Sequence, residues 1–369
     1  MFKVLHIVPT LLKGGPALQL FNLIKYLDRR QFLPQILTLS AEPKDSMEED
    51  FKRLGVPISS LRLGRFSSFI LARYRIRDYI SKHTPNIVHS SGFRPDLFSA
   101  RVDRTVHTVA TVGDCPFEDY AYNFGWIGQH VIAPLHLKML QKIEKPVIVS
   151  RMLSEKFSRE RGISFNVIQN GVDQEEFFPA TAARKQKIRA QLGLPLKHRL
   201  FAVIGRIIPL KDPLCVAEGF LRSAIPDTTM FFAGDGILRE KLNRLCESGK
   251  IILAGRVTSV QTYLQASDFL VSGSHTEGMP NAVLEAMACG LPCILSDIRA
   301  HREMLDYQPQ AGTLFPVGNA ERLGEAIRWT INQSYQMQRQ AALWIIENHL
   351  NAKRMSEQYQ ALYENLLRT

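Results

Sequence analysis

Short apolar runs recur along the chain, separated by stretches long enough for helices. Residues 4–8, 35–39, 86–89, 107–112, 146–149 and 165–168 form a first series. The runs are continuous rather than alternating, so each strand is apolar on both faces, as in a parallel sheet covered by helices on either side. A second series follows Phe178-Pro179, at residues 199–204, 229–232, 251–253, 269–271, 292–295 and 312–315. The pattern predicts an α/β protein of two successive doubly wound parallel-sheet halves, residues 1–178 and 179–350, with the boundary in the run-free stretch 175–195. In the last segment, 351–369, Met355, Tyr359, Leu362, Tyr363 and Leu366 recur at helical spacing and predict an amphipathic terminal helix.

Length agrees with two domains, since 369 residues exceed what one core usually serves. No stretch approaches the roughly 18 uninterrupted apolar residues of a membrane helix. The opening residues, Met1 to Pro9, are too short and strand-like for a signal peptide, so a cytoplasmic location is expected. The five cysteines are odd in number and scattered, against a disulfide framework. Cys289 and Cys293 lie four apart at a helix stop without a second ligand pair, which suggests packing rather than zinc, and no structural metal is expected.

The net charge of +11 points toward phosphorylated substrates, anionic membrane or nucleic acid. Residues 51–104 hold eleven basic side chains against three acidic ones. Within that stretch Phe66, Phe69, Ile70, Leu71, Tyr74, Ile76 and Ile80 interleave with Arg65, Arg73, Arg75 and Arg77, a pattern suited to anionic lipid, to packing on the protein's own sheet, or to both, since snorkelling arginines can rim a buried stripe.

Chemistry concentrates in the segment 274–293, which sets Glu277 in a turn and Glu285 inside the helix that follows. Pro280 suits the first helical position, and the turn Gly278-Met279-Pro280-Asn281 opens a helix start that favours an anion. Carboxylates do not bind phosphate, so Glu277 and Glu285 suit neutral polyols on either side of it, each accepting hydroxyl hydrogen bonds. Ribose, diphosphate and hexose in a nucleotide sugar have that layout. A nucleic-acid binder would have no use for acids flanking a phosphate seat.

This segment resembles the E-x7-E signature of retaining family 4 glycosyltransferases, and its Glu-Gly-Met-Pro-Asn and Leu-Glu-Ala-Met-Ala-Cys-Gly surroundings match as well. The resemblance is to bacterial O-antigen, capsule and exopolysaccharide enzymes. It implies the GT-B architecture, in which two Rossmann-like domains face across a cleft, the first for the acceptor and the second for the donor, with a closing helix that crosses back to the first. The loop Gly205-Arg206 to Lys211 is similar to the family's G-R-x(4)-K pattern, which assigns Arg206 and Lys211 to the donor diphosphate. Two fixed cations there stabilise the charge that develops on a departing phosphate. By the same resemblance Gly14 and Gly15 approach donor phosphate or acceptor, and Arg256 and Val257 border the base. Glu277 holds sugar hydroxyls and Glu285 the ribose.

Where many relatives carry His-Asp this chain has Gly113-Asp114, so the histidine's role has no bearer at that position. His89 and His107, at strand ends, are read as structural. Asp114, Glu118, Asp119 and Tyr120 are expected at the acceptor site, because carboxylates and aromatic faces suit sugars. The implied activity is retaining, metal-independent transfer of a hexose from a nucleoside diphosphate sugar, UDP ahead of GDP, to a glycan acceptor, expected to be polyprenyl-diphosphate-linked, with no cofactor. Implied too is a peripheral position on the inner membrane face through the basic first domain. A nucleotide-sugar epimerase of the same fold and a non-catalytic glycan binder are the alternatives. Oligomeric state is left open.

Overall fold

A computed structural model describes residues 1–64, 68–103 and 105–368. Of the basic amphipathic stretch, Arg65, Phe66 and Arg104 lie outside the described residues, as do the side chains of Phe69, Ile70 and Leu71. The chain forms two compact units, one of Met1–Gly171 with Ala352–Thr369 and the other of Val172–Asn351.

The first unit is built on strands β1 (Phe2–Val8), β2 (Phe32–Thr38), β3 (Ile58–Ser60), β4 (Ile87–Ser91), β5 (His107–Val112), β6 (Lys145–Ile148) and β7 (Asn166–Val167). They pair in parallel in the order β3-β2-β1-β4-β5-β6-β7. Successive residues of one strand enter different cores: Val4, Ile87, Val109 and Val147 share one cluster, while Leu5, Ile7, Leu37 and Val88 share another. That is why the apolar runs are continuous. The edge strand β3 escapes detection in the sequence because its Ile-Ser-Ser offers no apolar run. The closing helix Ala352–Leu367 belongs to this unit, where Met355, Tyr359, Tyr363 and Leu366 complete the core around Val4 and Phe32.

In the helix Ser68–His83 the described apolar side chains other than Tyr74 pack on the sheet. Ala72 and Ile76 are buried, Tyr79 and Ile80 lie against the same cluster as Leu5, and Tyr74 is exposed.

The second unit holds β8 (Arg199–Ile204), β9 (Thr228–Ala233), β10 (Ile251–Gly255), β11 (Phe269–Ser272), β12 (Cys293–Ser296) and β13 (Gly312–Phe315), parallel in the order β10-β9-β8-β11-β12-β13. Phe201 and Phe269 stack at 4.9 Å across the central pair, within a core that includes Phe220, Phe232 and Ile294.

In each sheet the strand order reverses once, between β1 and β4 and between β8 and β11. Ligands of open parallel sheets bind beyond the carboxyl ends of the strands at such reversals, because the loops there diverge to opposite faces. Among the described residues no helix is long and apolar enough to cross a membrane.

Candidate active site

In the second unit, the loops leaving β8 and β11 meet at the reversal. The β8 loop contains Gly205 at φ 134°, the exposed Arg206, and a short turn Pro209–Lys211, and it ends at Asp212. Asp212 caps the helix Pro213–Ser223, its side chain accepting from the Cys215 N–H at 3.4 Å. The β11 loop is tied to it twice: the His275 N–H donates to the Leu210 carbonyl at 2.9 Å, and His275 Nε2 lies 3.3 Å from Asp212 Oδ2. These ties bring Lys211 and Glu277 into an ion pair.

Glu277 is well buried, and burial alone would raise its pKa. The charge and hydrogen bond of Lys211 and the Ser274 hydroxyl, which donates at 2.7 Å, outweigh burial and hold Glu277 below the usual carboxylate range. The support reaches β12. Ser296 Oγ donates to the Ser274 carbonyl at 2.6 Å, and His301 Nδ1 lies 2.7 Å from the Ser296 carbonyl oxygen. A carbonyl only accepts, so Nδ1 carries the proton. Burial pushes His301 down to about 4, so the ring is neutral.

Glu285 behaves oppositely. It is buried inside the helix Asn281–Ala288, where burial first and Glu176 second push its pKa up to about 8. The ionised carboxylate expected from sequence is therefore a neutral acid near pH 7 here, able to donate one hydrogen bond and accept others. Two carboxylates eight positions apart thus differ in charge because only one has a lysine. The helix boundary also differs by one residue: Pro280 caps the helix with extended backbone, and Asn281 is its first residue. Gly278, Met279 and Pro280 are buried between the two glutamates.

The loops after β9 and β10 stack onto the β8 loop. A Cβ on Gly234 would lie 1.8 Å from the Gly205 carbonyl oxygen, and one on Gly236 would lie 2.3 Å from that of Ile207. Their absence lets the Gly205 N–H reach Ala233 O at 3.1 Å and the Ile207 N–H reach Asp235 O at 2.9 Å. The Gly234 N–H in turn donates to Gly255 at 2.7 Å, next to the exposed Arg256 and then Val257. Arg206 is therefore carried by a braced loop. Ser274, Ser296 and His301 were not singled out from sequence, since their role is visible only once β11 and β12 are neighbours.

In the first unit, Gly14 caps the helix Gly15–Lys25 after β1. Its φ of 170° is extended backbone, and an added Cβ would meet only Leu12 O at 3.8 Å, so the fold itself does not require glycine there. At the end of β5, Gly113 and Asp114 are exposed, and a Cβ on Gly113 would meet nothing within 4 Å.

The three acceptor candidates beyond Asp114 have partners inside the unit. Glu118 accepts from Lys156 Nζ at 2.7 Å, in a cavity also lined by Cys115, Phe117 and Arg161. Asp119 accepts from Asn123 at 2.9 Å. Tyr120 bonds His136 Nδ1 at 2.8 Å, and His136 Nε2 lies 2.8 Å from the buried Asp96. His89 is structural, between Tyr363 OH at 2.6 Å and Thr111 Oγ1 at 2.8 Å, with burial pushing it down to about 3. His107 pairs with Glu144 at 3.0 Å.

Residues 13–176 match the family model described as Glycosyltransferase Family 4, and residues 199–333 match the one described as Glycosyl transferases group 1. The chain belongs to this glycosyltransferase family, with the two-domain GT-B fold. It is 37% identical over 150 residues to the UDP-Gal:alpha-D-GlcNAc-diphosphoundecaprenol alpha-1,3-galactosyltransferase of Escherichia coli, over 38% of each chain. It is 32% identical over 181 residues to the putative teichuronic acid biosynthesis glycosyltransferase TuaC of Bacillus subtilis, over 48% of this chain and 44% of that one. The match thus spans less than half the length of either relative. The E. coli O-antigen biosynthesis glycosyltransferase WclY aligns over 99% of both chains at 21% identity. Among solved structures, a glycosyltransferase from Rickettsia africae superposes with a TM-score of 0.81 at 18% identity, covering 100% of this chain and 99% of that one. Anabaena Alr3699/HepE in complex with UDP gives 0.80 at 16% identity, over 99% and 100%.

Proposed function

We propose that the protein transfers a hexose, with retention of configuration, from a UDP-sugar to a lipid-linked glycan acceptor in the synthesis of a bacterial surface polysaccharide. The observation that carries this reading is the Lys211–Glu277 pair at the β8/β11 reversal, beside the braced Arg206 loop. Arg206 and Lys211 hold the donor diphosphate and stabilise the charge that grows on it as the glycosidic bond breaks. Glu277, kept ionised, accepts hydroxyl hydrogen bonds of the sugar. Glu285 holds the ribose, Arg256 and Val257 border the base, and Gly278 to Asn281 form the phosphate seat. In the first unit, Gly14 and Gly15 leave room for a ligand, and the exposed Asp114 faces the acceptor. The relative acting on a diphosphoundecaprenol-linked acceptor supports a lipid-linked substrate, and the relatives named for O-antigen and teichuronic acid support the surface-polysaccharide setting.

With Glu277 engaged on sugar hydroxyls, the reaction follows a front-face route. The C1–oxygen bond of the donor breaks toward the diphosphate, the acceptor oxygen bonds C1 on the same face, and a phosphate oxygen takes the acceptor's proton. No metal takes part. The enzyme works on the inner face of a membrane to which its basic first domain is attracted. Radiolabelled UDP-hexoses incubated with membranes carrying polyprenyl-diphosphate saccharides test the reading. It expects label in the lipid fraction with the anomeric configuration kept, insensitive to EDTA. Label on an enzyme carboxylate would refute the front-face route, and conversion of donor to a new sugar nucleotide without acceptor would identify an epimerase.

A further inference from the structure

The first unit carries an unusual ridge. Tyr122, Phe124, Trp126, Ile127, Val131 and Leu135 are between 39% and 69% exposed within fourteen residues. Scattered exposed apolar residues are ordinary, but six large ones within one short segment are a concentration that suits a contact surface.

Local geometry makes the ridge a built feature. The helix Pro116–Ile127 breaks at Gly125, φ 59°, and continues through a wide turn at Gly128–Ile132 into the helix Ala133–Leu140. A Cβ on Gly128 would lie 1.8 Å from the Tyr120 carbonyl oxygen, so only glycine lets the turn close onto the preceding helix. Trp126 stacks on His130 at 4.9 Å. Below, Tyr120 is held by His136 and Asp96.

Charge selects the occupant. The stripe Ile127, Val131 and Leu135 continues at helical spacing into the exposed Lys138 and Lys142, and residues 120–143 contain no acidic side chain. Apolar side chains led by a tryptophan, with lysines behind them, match the boundary between acyl chains and anionic headgroups.

We infer that the Tyr122–Leu135 ridge inserts into the surface of an anionic bilayer, with Lys138 and Lys142 on the headgroups. This places the membrane contact on the segment after β5 rather than on the helix Ser68–His83, and it rests on the membrane-borne acceptor proposed above for the choice of lipid.

The full-length chain with W329F and W344F, leaving Trp126 as its one tryptophan, is mixed with vesicles of phosphatidylglycerol and phosphatidylcholine carrying brominated acyl chains. The expected result is a blue shift and quenching of Trp126, with vesicle sedimentation at least tenfold weaker in F124S/I127S/V131S. K138E/K142E should lose binding to phosphatidylglycerol vesicles while keeping the same melting temperature. Unquenched Trp126, or undiminished sedimentation of the triple serine variant, overturns the inference. So does a vesicle-independent dimer that the triple variant abolishes. UDP binding by the same proteins separates the two readings, since it reports on the donor site, away from the ridge residues, and stays unchanged if only the ridge assignment fails.

Discussion

Lys211 and Glu277 form an ion pair although 66 positions separate them in the chain, because the loops bearing them leave the two central strands β8 and β11 at the point where strand order reverses. The pair performs two tasks. It keeps a buried carboxylate charged and fixes a lysine beside it, as the proposed donor site requires.

Replacing Lys211 with methionine is expected to leave Glu277 buried without its cation, at a cost of roughly 3 kcal/mol and with turnover reduced ~100-fold or more. The pH dependence adds a signature. A carboxylate depressed in the folded state contributes stability above its unfolded pKa and loses it as pH falls through the folded one. Wild type should therefore lose this contribution on the acid side, below the ordinary carboxyl range, whereas K211M never has it. Thermal melts from pH 3 to 7 would show the gap between the two proteins closing as pH falls.

Glu285 predicts the reverse trend. The unfolded chain releases this proton near the ordinary value of 4.5, while the folded chain keeps it to about 8. Between those values the folded state binds more protons, so stability falls as pH rises. E285Q, which cannot ionise, should match wild type near pH 4.5 and be a few kcal/mol more stable at pH 8.5, as read by urea titration at the two pH values. Equal stability at both would show that Glu285 is solvated.

Gly113 should accept a histidine. The space around its Cβ is open, so G113H is expected to change stability by no more than about 0.5 kcal/mol. A melting curve decides this; a large loss would mean the strand end cannot hold a histidine side chain.

The Asp96–His136–Tyr120 chain is expected to be structural support for the segment after β5. H136L strands a fully buried carboxylate and should cost roughly 3 kcal/mol, whereas Y120F removes one hydroxyl and should cost about 1 kcal/mol. Denaturation of the two variants side by side tests the ranking.

Much of this was legible in the sequence for a physical reason. Strands buried on both faces leave unbroken apolar runs, so twelve of the strands could be placed, and Ile58–Ser60 could not because an edge strand of three residues needs no such run. Arg206, Lys211, Glu277 and Glu285 stood out because they fall in short motifs at fixed spacing, G-R-x(4)-K and E-x7-E. Charge state was not legible, since it depends on neighbours distant in sequence: Glu277 on Lys211, and Glu285 on burial and Glu176. Nor was the engagement of Glu118, Asp119 and Tyr120 by Lys156, Asn123 and His136, which comes from helix packing. The basic amphipathic pattern around Ile76 admitted packing, lipid or both, and the structure shows that Ala72 and Ile76 pack against β-strand side chains.

The most direct test of the central assignment is calorimetric titration of UDP into the wild-type protein and into R206A/K211A. If the β8 loop grips the diphosphate, wild type binds and the double variant loses affinity by ~100-fold or more while still folding. Equal affinities in two folded proteins would contradict the account, because the nucleotide would then be held somewhere other than the β8/β11 reversal.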